Sequence, residues 1–179
     1  MLSRRPQATI DLAALNHNYQ RVKQLAPHSK VLAVLKANAY GHGMLSVAQA
    51  LTQADALGVA RLDEALALRA GGIARPIVLL EGFFHADELA QIVASNLQLV
   101  IHHRDQAEAL LAAELDAPVR VWLKVDSGMH RLGIYPHEFS GLYKRLSQSR
   151  NVQGPLRLMS PFASSDELDK PATVNQLAL

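Results

Sequence analysis

Short apolar runs alternate with longer amphipathic stretches six times along the chain. Each run is flanked by glycine, proline or polar residues and is mostly apolar on both faces. Strands of this kind are buried on both sides, as in a parallel β-sheet. The predicted strands are Val31–Leu35, Ala56–Ala60, Ile77–Leu80, Leu97–Ile101, Val119–Val125 and Leu156–Met159.

The stretches between these runs have the spacing of amphipathic helices. From Leu12 to Leu25 the apolar residues recur every three or four positions, which places them on one helical face. The pair Gly71-Gly72 suits a left-handed helix end, and Pro136 suits the first turn of a helix. The other predicted helices are Ser46–Ala54, Leu62–Ala70, Asp87–Ala94, Asp105–Leu115 and Pro136–Leu146.

Six strands that alternate with helices predict a parallel α/β fold. The spacing between strands fits both a doubly wound sheet and a (β/α)-barrel. A closed barrel of this type has eight βα units, and the chain has about six. If the fold is a barrel, we expect it to be an open, incomplete one.

The composition is that of an ordinary globular protein. The 179 residues are 49% hydrophobic, and 18 basic against 16 acidic residues give a net charge of +2, too small to indicate nucleic-acid binding. No apolar run is long enough to cross a membrane, and residues 1–10 do not resemble a secretory signal. The chain has no cysteine, which excludes disulfides and thiolate metal sites and fits a cytoplasmic enzyme.

The first candidate for chemistry is Lys36, which ends the apolar run Val31–Leu35. Ligands of parallel α/β folds bind at the carboxyl ends of the strands. A lysine beside apolar surface has a lowered pKa, and its neutral amine is a nucleophile. The alternative is a lysine whose amine reaches solvent. The glycines Gly41 and Gly43 only partly match a dinucleotide fingerprint, whose third glycine is replaced by Ser46.

A second group of charged residues follows the fifth predicted strand. It comprises Lys124, Asp126 and Arg131, which on their own are also compatible with a structural ion-pair cluster. The neighbouring glycines indicate a tight backbone close to a ligand. The adjacent residues His102 and His103 point to opposite faces of a strand and cannot readily share an ion, so we predict no metal site.

Two motifs in these regions resemble the alanine racemases. Residues Lys36–Gly43 read KANAYGHG, which is similar to the cofactor-lysine signature of that family. Residues Lys124–Gly133 read KVDSGMHRLG and match every fixed position of the family pattern Lys-x-Asp-Ser/Thr-Gly-Met-x-Arg-Leu-Gly. The family consists of homodimeric pyridoxal-phosphate enzymes with an N-terminal (β/α)-barrel and a C-terminal β domain.

The resemblance implies a role for each of four residues. Lys36 would bind pyridoxal 5'-phosphate covalently and exchange the α-proton on the D-alanine side, and Tyr40 would lie beside the cofactor phosphate. Arg131 would bind the substrate carboxylate. Lys124 would support Arg131, commonly as a carbamate in the family. The implied activity is racemisation of L-alanine and D-alanine, with alanine as the small-molecule substrate.

The resemblance also implies that residues 1–179 form a truncated N-terminal barrel, about half of a racemase without its C-terminal β domain. A racemase needs two bases, and the family's tyrosine base lies outside these residues, so we expect little or no activity from the isolated chain. The alternative is a single-domain barrel that carries the cofactor without racemase activity.

One position departs from the family pattern. Pro161 stands where a histidine usually packs flat against the cofactor, and we expect weaker cofactor binding as a result. Proline also lacks the backbone donor that a central strand needs.

Overall fold

The computed structural model describes residues 7–179, which contain one sheet of six parallel strands. Every predicted strand contains an observed one, and the observed strands are one to two residues shorter. The strands are β1 (Leu32–Val34), β2 (Ala56–Val59), β3 (Ile77–Leu79), β4 (Gln98–Ile101), β5 (Arg120–Lys124) and β6 (Arg157–Met159).

Helices connect the strands, and all the predicted helices are confirmed. Leu12–Leu25 and Leu62–Ala70 have the predicted bounds, and the others differ at one or both ends. The helical segment Lys36–Tyr40, directly after β1, is not predicted. None of the helices in residues 7–179 is long and apolar enough to cross a membrane. The helices are α1 (Leu12–Leu25), α2 (Lys36–Tyr40), α3 (Met44–Ala50), α4 (Leu62–Ala70), α5 (Glu88–Ala94), α6 (Arg104–Ala112), α7 (Pro136–Ser147) and α8 (Ala172–Leu177).

The order of the strands decides between the two predicted architectures. The strands lie side by side in the order β1 to β6, without reversal. A doubly wound sheet reverses its order at a switch point, whereas a barrel adds each strand on the same side of the last. The sheet is therefore an incomplete (β/α)-barrel with β1 and β6 at its edges, as one of the two interpretations predicts.

The helix ends follow the glycine and proline signals. Gly72 has a φ of +82°, and the N–H of Ile73 donates to the carbonyl of Leu68 at 3.1 Å, which ends α4 in a left-handed turn. The glycine in the left-handed conformation is the second of the Gly71-Gly72 pair. Pro136 is the first residue of α7, where its missing N–H has no helical partner to lose.

The two faces of the sheet differ in composition. The outer face packs against the helices and forms the core with residues such as Leu57, Leu79 and Leu123, all fully buried. The inner face carries polar groups: Gln98 Oε1 accepts hydrogen bonds from Trp122 Nε1 at 2.8 Å and from Arg157 at 3.1 Å. Side chains alternate between faces along a strand, so Lys124 lies on the inner face at the carboxyl end of β5, two residues after Trp122.

Candidate active site

Lys36 lies at the carboxyl end of β1, where the backbone leaves the sheet. The last backbone bond between β1 and β2 runs from Leu35 N to Gly58 O at 2.7 Å. The next four residues, 37–40, all have φ between 52° and 55°, which is a left-handed helical turn without a glycine. Each such residue costs about 1–2 kcal/mol. The surrounding structure must hold this turn in place.

Contacts on both sides stabilise the left-handed turn. Asn38 Oδ1 accepts the N–H of Met44, the first residue of α3, at 2.8 Å. Ala39 is buried, and its N–H donates to the carbonyl of Leu35 at 2.7 Å. The N–H of Ala37 donates to the carboxylate of Glu64 at 2.7 Å. These contacts fix the direction in which the half-buried Lys36 side chain leaves the backbone.

Tyr40 ends the left-handed turn and is 62% exposed. It lines a cleft of about 430 Å³ between α1 and β1, together with Asp11, Leu15 and His42. Its role beside a phosphate stays a prediction, and its position at the same end of β1 as Lys36 is compatible with that role.

Lys124, the last residue of β5, is an amine buried without an acidic partner. It is only 6% exposed, and no ion pair joins it to another residue within 7–179. Burial lowers the pKa of Lys124, and the positive charges of Arg131 and Lys36 add to this effect, while Glu81 and Asp126 oppose it without reversing it. Because the charges of Arg131 and Lys36 act on the pKa of Lys124, these three predicted site residues lie in one region of the sheet.

The loop after β5 is folded around the Asp126 carboxylate. Oδ1 accepts the backbone N–H groups of Gly128 at 3.1 Å and His130 at 2.9 Å, and Oδ2 lies 3.2 Å from His130 Nδ1. Burial raises the pKa of Asp126, but these bonds outweigh it and hold the pKa below its ordinary value. The loop returns to β5 where the N–H of Ile134 donates to the carbonyl of Lys124 at 2.8 Å.

Arg131 lies on this loop with an exposed side chain. In the described part of the chain it forms neither an ion pair nor a side-chain hydrogen bond, and Asp126 pairs with His130 instead. The interpretation of Lys124, Asp126 and Arg131 as a structural ion-pair cluster is therefore wrong. The guanidinium of Arg131 remains available to an anionic ligand.

The two adjacent histidines have separate structural roles. The half-buried His102 donates from Nε2 to the carbonyl of Glu81 at 3.1 Å, and its pKa is lowered by burial and by the charge of Lys124. His103 caps α6, because its Nδ1 accepts the N–H of Asp105 at 3.2 Å. Within residues 7–179 no three potential metal-binding side chains come together.

Comparison with known proteins identifies the family. A family model described as the N-terminal domain of alanine racemase matches residues 10–179. The chain belongs to the alanine racemase N-terminal domain family. The resemblance that the two motifs carry is thereby confirmed, and the match extends over nearly the whole chain.

Several alanine racemases are similar to this chain. The enzyme of Aliivibrio salmonicida is 55% identical over 170 residues, which are 95% of this chain and 48% of the relative. The biosynthetic alanine racemase of Escherichia coli is 55% identical over 168 residues. The crystal structure of the biosynthetic alanine racemase from Pseudomonas aeruginosa aligns with a TM-score of 0.89 and 47% identity, over 94% of this chain and 47% of that one.

The chain spans about half the length of the curated relatives it matches. These relatives are named racemases, which favours the racemase hypothesis over the cofactor-carrier alternative. In the alanine racemase barrel, Lys36 and the Lys124–Gly133 motif both lie at carboxyl ends of strands, the edge that carries the sites of such barrels.

Pro161 is not part of a central strand in the structure. It lies two residues beyond the last residue of β6, outside the strand. Its carbonyl accepts a hydrogen bond from Gln176 Nε2 at 2.9 Å, and Gln176 Oε1 accepts the N–H of Ala163 at 3.0 Å. Gln176 thus holds the segment after β6, a contact between residues too distant in sequence for a local pattern to indicate.

Because burial disfavours the charged form of Lys124, we expect this residue to lower the stability of the fold at neutral pH. Lysine binds its proton more tightly in the unfolded chain than in this site, so stability rises with pH between the lowered pKa and the ordinary value of 10.5. We expect Lys124→Met to stabilise the fold at pH 7 by about 1–2 kcal/mol and to flatten this pH dependence.

Urea unfolding at pH 7 and at pH 9.5 (about one unit below the ordinary lysine value) measures both effects. The matched control is Lys144→Met, which removes an exposed lysine from α7 and is expected to change stability little. Equal or lower stability of the Lys124→Met chain at pH 7 would contradict the prediction.

Proposed function

We propose that this chain provides the cofactor lysine and the substrate-binding arginine of an enzyme that interconverts L-alanine and D-alanine with pyridoxal 5'-phosphate. The observation that carries the proposal is the convergence of two separate family motifs. Lys36 follows β1 and Lys124 ends β5, both at carboxyl ends of strands of one sheet, and the charges of Arg131 and Lys36 both lower the pKa of Lys124. Family membership supports alanine as the substrate.

The charges of the candidate site suit the proposed cofactor. Lys36, Lys124 and Arg131 have no acidic ion-pair partner within residues 7–179. A cofactor with a phosphate and a substrate with a carboxylate would compensate this positive charge. When bound, pyridoxal phosphate supplies an electron sink that acidifies the Cα–H of the amino acid.

Lys36 has two tasks in the proposed reaction. Its Nζ would hold the cofactor covalently, and as a free amine it would hold or return the Cα proton on one face of the substrate. Inversion requires a second base on the opposite face. The family resemblance assigns that base to a tyrosine of the partner subunit in a homodimer. The homodimer and a cytoplasmic location are therefore parts of this proposal.

Arg131 and Lys124 have complementary tasks. The planar guanidinium of Arg131 can bind a carboxylate through two parallel hydrogen bonds and thereby orient the substrate. The lowered pKa of Lys124 favours the neutral amine, the form that adds CO2 and releases a proton to become a carbamate. A carbamate would turn this positive group into a negative one beside Arg131.

The proposed function is tested by trapping the cofactor. The full chain is incubated with pyridoxal phosphate and reduced with borohydride, and the modified peptide is mapped by mass spectrometry. We expect the label on Lys36. Label confined to other lysines, Lys124 included, would overturn the assignment.

A second assay separates a racemase from a cofactor carrier. The chain and a complete relative are each supplied with pyridoxal phosphate and L-alanine, and chiral chromatography measures D-alanine. We expect label on Lys36 together with little or no D-alanine from this chain alone. Addition of the complementary half of a relative is expected to raise D-alanine production, and a carrier would not respond.

Pro161 gives a prediction on cofactor affinity. Pro161→His restores the ring that the family pattern places against the cofactor, and stacking of about 1 kcal/mol corresponds to roughly fivefold tighter binding. Titration with pyridoxal phosphate, followed by absorbance, measures the change. Phe162→His is the control, since it puts the same ring one position further along an exposed segment, and equal gains in both variants would contradict the prediction.

A further inference from the structure

The carboxylate of Glu64 lies across the gap between the ends of β1 and β2. Oε1 accepts the backbone N–H of Ala37 at 2.7 Å. Oε2 accepts the N–H of Ala60 at 2.8 Å and that of Arg61 at 3.2 Å. One side chain from the first turn of α4 therefore joins three backbone donors from two loops, and one of these donors directly follows Lys36.

These bonds continue the connection between the strands beyond the last backbone bond. That bond joins Leu35 to Gly58, after which the chain at Lys36 turns into the left-handed segment 37–40. A left-handed turn of non-glycine residues persists only when its surroundings determine it. Glu64 supplies the acceptor for the first N–H of this turn.

We propose that Glu64 is a positioning residue for Lys36: it fixes the peptide that follows the lysine, so that the amine is directed towards Lys124 and Arg131. The inference rests on the proposed function for the chemistry that Lys36 performs. The hydrogen bonds of Glu64 and the left-handed turn do not depend on that function.

The chemistry of the side chain explains why a carboxylate is needed. Both oxygens face N–H donors, and a carboxylate has only acceptors. Charge-assisted hydrogen bonds are also shorter and stronger than neutral ones. In Glu64→Gln the single oxygen is expected to face the two donors of Ala60 and Arg61, which leaves the new amide N–H₂ against the N–H of Ala37.

Hydrogen exchange of the full chain tests the positioning directly. In Glu64→Gln we expect the amide of Ala37 to exchange about tenfold to a hundredfold faster than in the wild type. The amides of β4 and β5 are expected to keep their protection, which separates a local effect from a general loss of stability. Unchanged exchange at Ala37 would overturn the inference.

The matched control is Glu88→Gln. Glu88 is also in the first turn of a helix and also accepts a backbone N–H of the preceding loop, that of Phe84 at 3.2 Å. Within residues 7–179 its carboxylate forms no ion pair, and it forms no hydrogen bond to the segment 37–40. We expect faster exchange at Phe84 and no change at Ala37.

The rate at which Lys36 captures pyridoxal phosphate, trapped by borohydride, is the second measurement. We expect a roughly tenfold slower rate in Glu64→Gln, since small displacements of a reacting group are costly, and an unchanged rate in Glu88→Gln. If exchange at Ala37 becomes faster but the rate of cofactor capture does not change, the proposal that Glu64 positions Lys36 is overturned. If the wild-type chain captures no cofactor on Lys36, the proposed function fails, and exchange at Ala37 alone decides the role of Glu64.

Discussion

Gly133→Ala will destabilise the chain by about 3 kcal/mol or more, because the substitution combines backbone strain with a clash that cannot relax. Gly133 has a φ of +144°, which L side chains rarely adopt. An added Cβ would lie 2.5 Å from Asp126 N and 2.8 Å from the carbonyl carbon of Val125. Both are backbone atoms of the junction between β5 and its loop.

The surrounding hydrogen bonds prevent these backbone atoms from moving away. Asp126 N donates to the carbonyl of Ile134 at 3.0 Å, and Val125 N donates to that of Met159 at 2.8 Å. Relief of the clash would break one of these bonds and separate the loop of Arg131 from β5. We therefore expect loss of stability and loss of carboxylate binding to occur together.

Urea unfolding followed by circular dichroism measures the stability of Gly133→Ala. Gly141→Ala is the matched control: Gly141 lies within α7, and beyond its chain neighbours and the backbone of its own helix no atom of residues 7–179 lies within 4 Å of an added Cβ. We expect that variant to be more stable by up to about 1 kcal/mol, as for any exposed helical glycine. Similar stability of the two variants would contradict the structural account of the loop.

The sequence patterns predict the strands well because each one is a local property. Short apolar runs such as Ile77–Leu80 are bounded by turn residues, and the strand Ile77–Leu79 lies inside that run. The choice between a doubly wound sheet and a barrel depends on which strands are neighbours, and the same βα units occur in both. The family motifs, not the periodicity, made that choice possible from the sequence.

The left-handed turn at 37–40 is beyond local prediction. Alanine favours the right-handed helix, and residues 37–40 contain no glycine, while Gly41, with a φ of +89°, marks only the end of the turn. Its conformation is imposed by contacts with α3 and α4, in particular through Asn38 and Glu64. Glu64 is also beyond local prediction, because its position in α4 indicates only a helix start, while its contact with Ala37 is set by the tertiary fold.

Lys36→Arg will abolish the borohydride-stable label from pyridoxal phosphate while it preserves the charge of the site. The guanidinium remains protonated and cannot condense with an aldehyde, although it is positive like the lysine amine. The positive charge that Lys36 exerts on Lys124 is retained. A loss of label in this variant therefore reports the missing nucleophile and not an altered electrostatic field.

Two further variants make this interpretation specific. Lys30→Arg changes the exposed lysine that precedes the same strand at its opposite end, and we expect full labelling of Lys36. Lys36→Ala removes both nucleophile and charge, so it should abolish the label and also raise the pKa of Lys124, which NMR of the lysine amines measures. Two results would show that Lys36 does not belong to the site that Lys124 and Arg131 form. One is a label that persists in Lys36→Arg, and the other is a Lys124 pKa that does not change in Lys36→Ala.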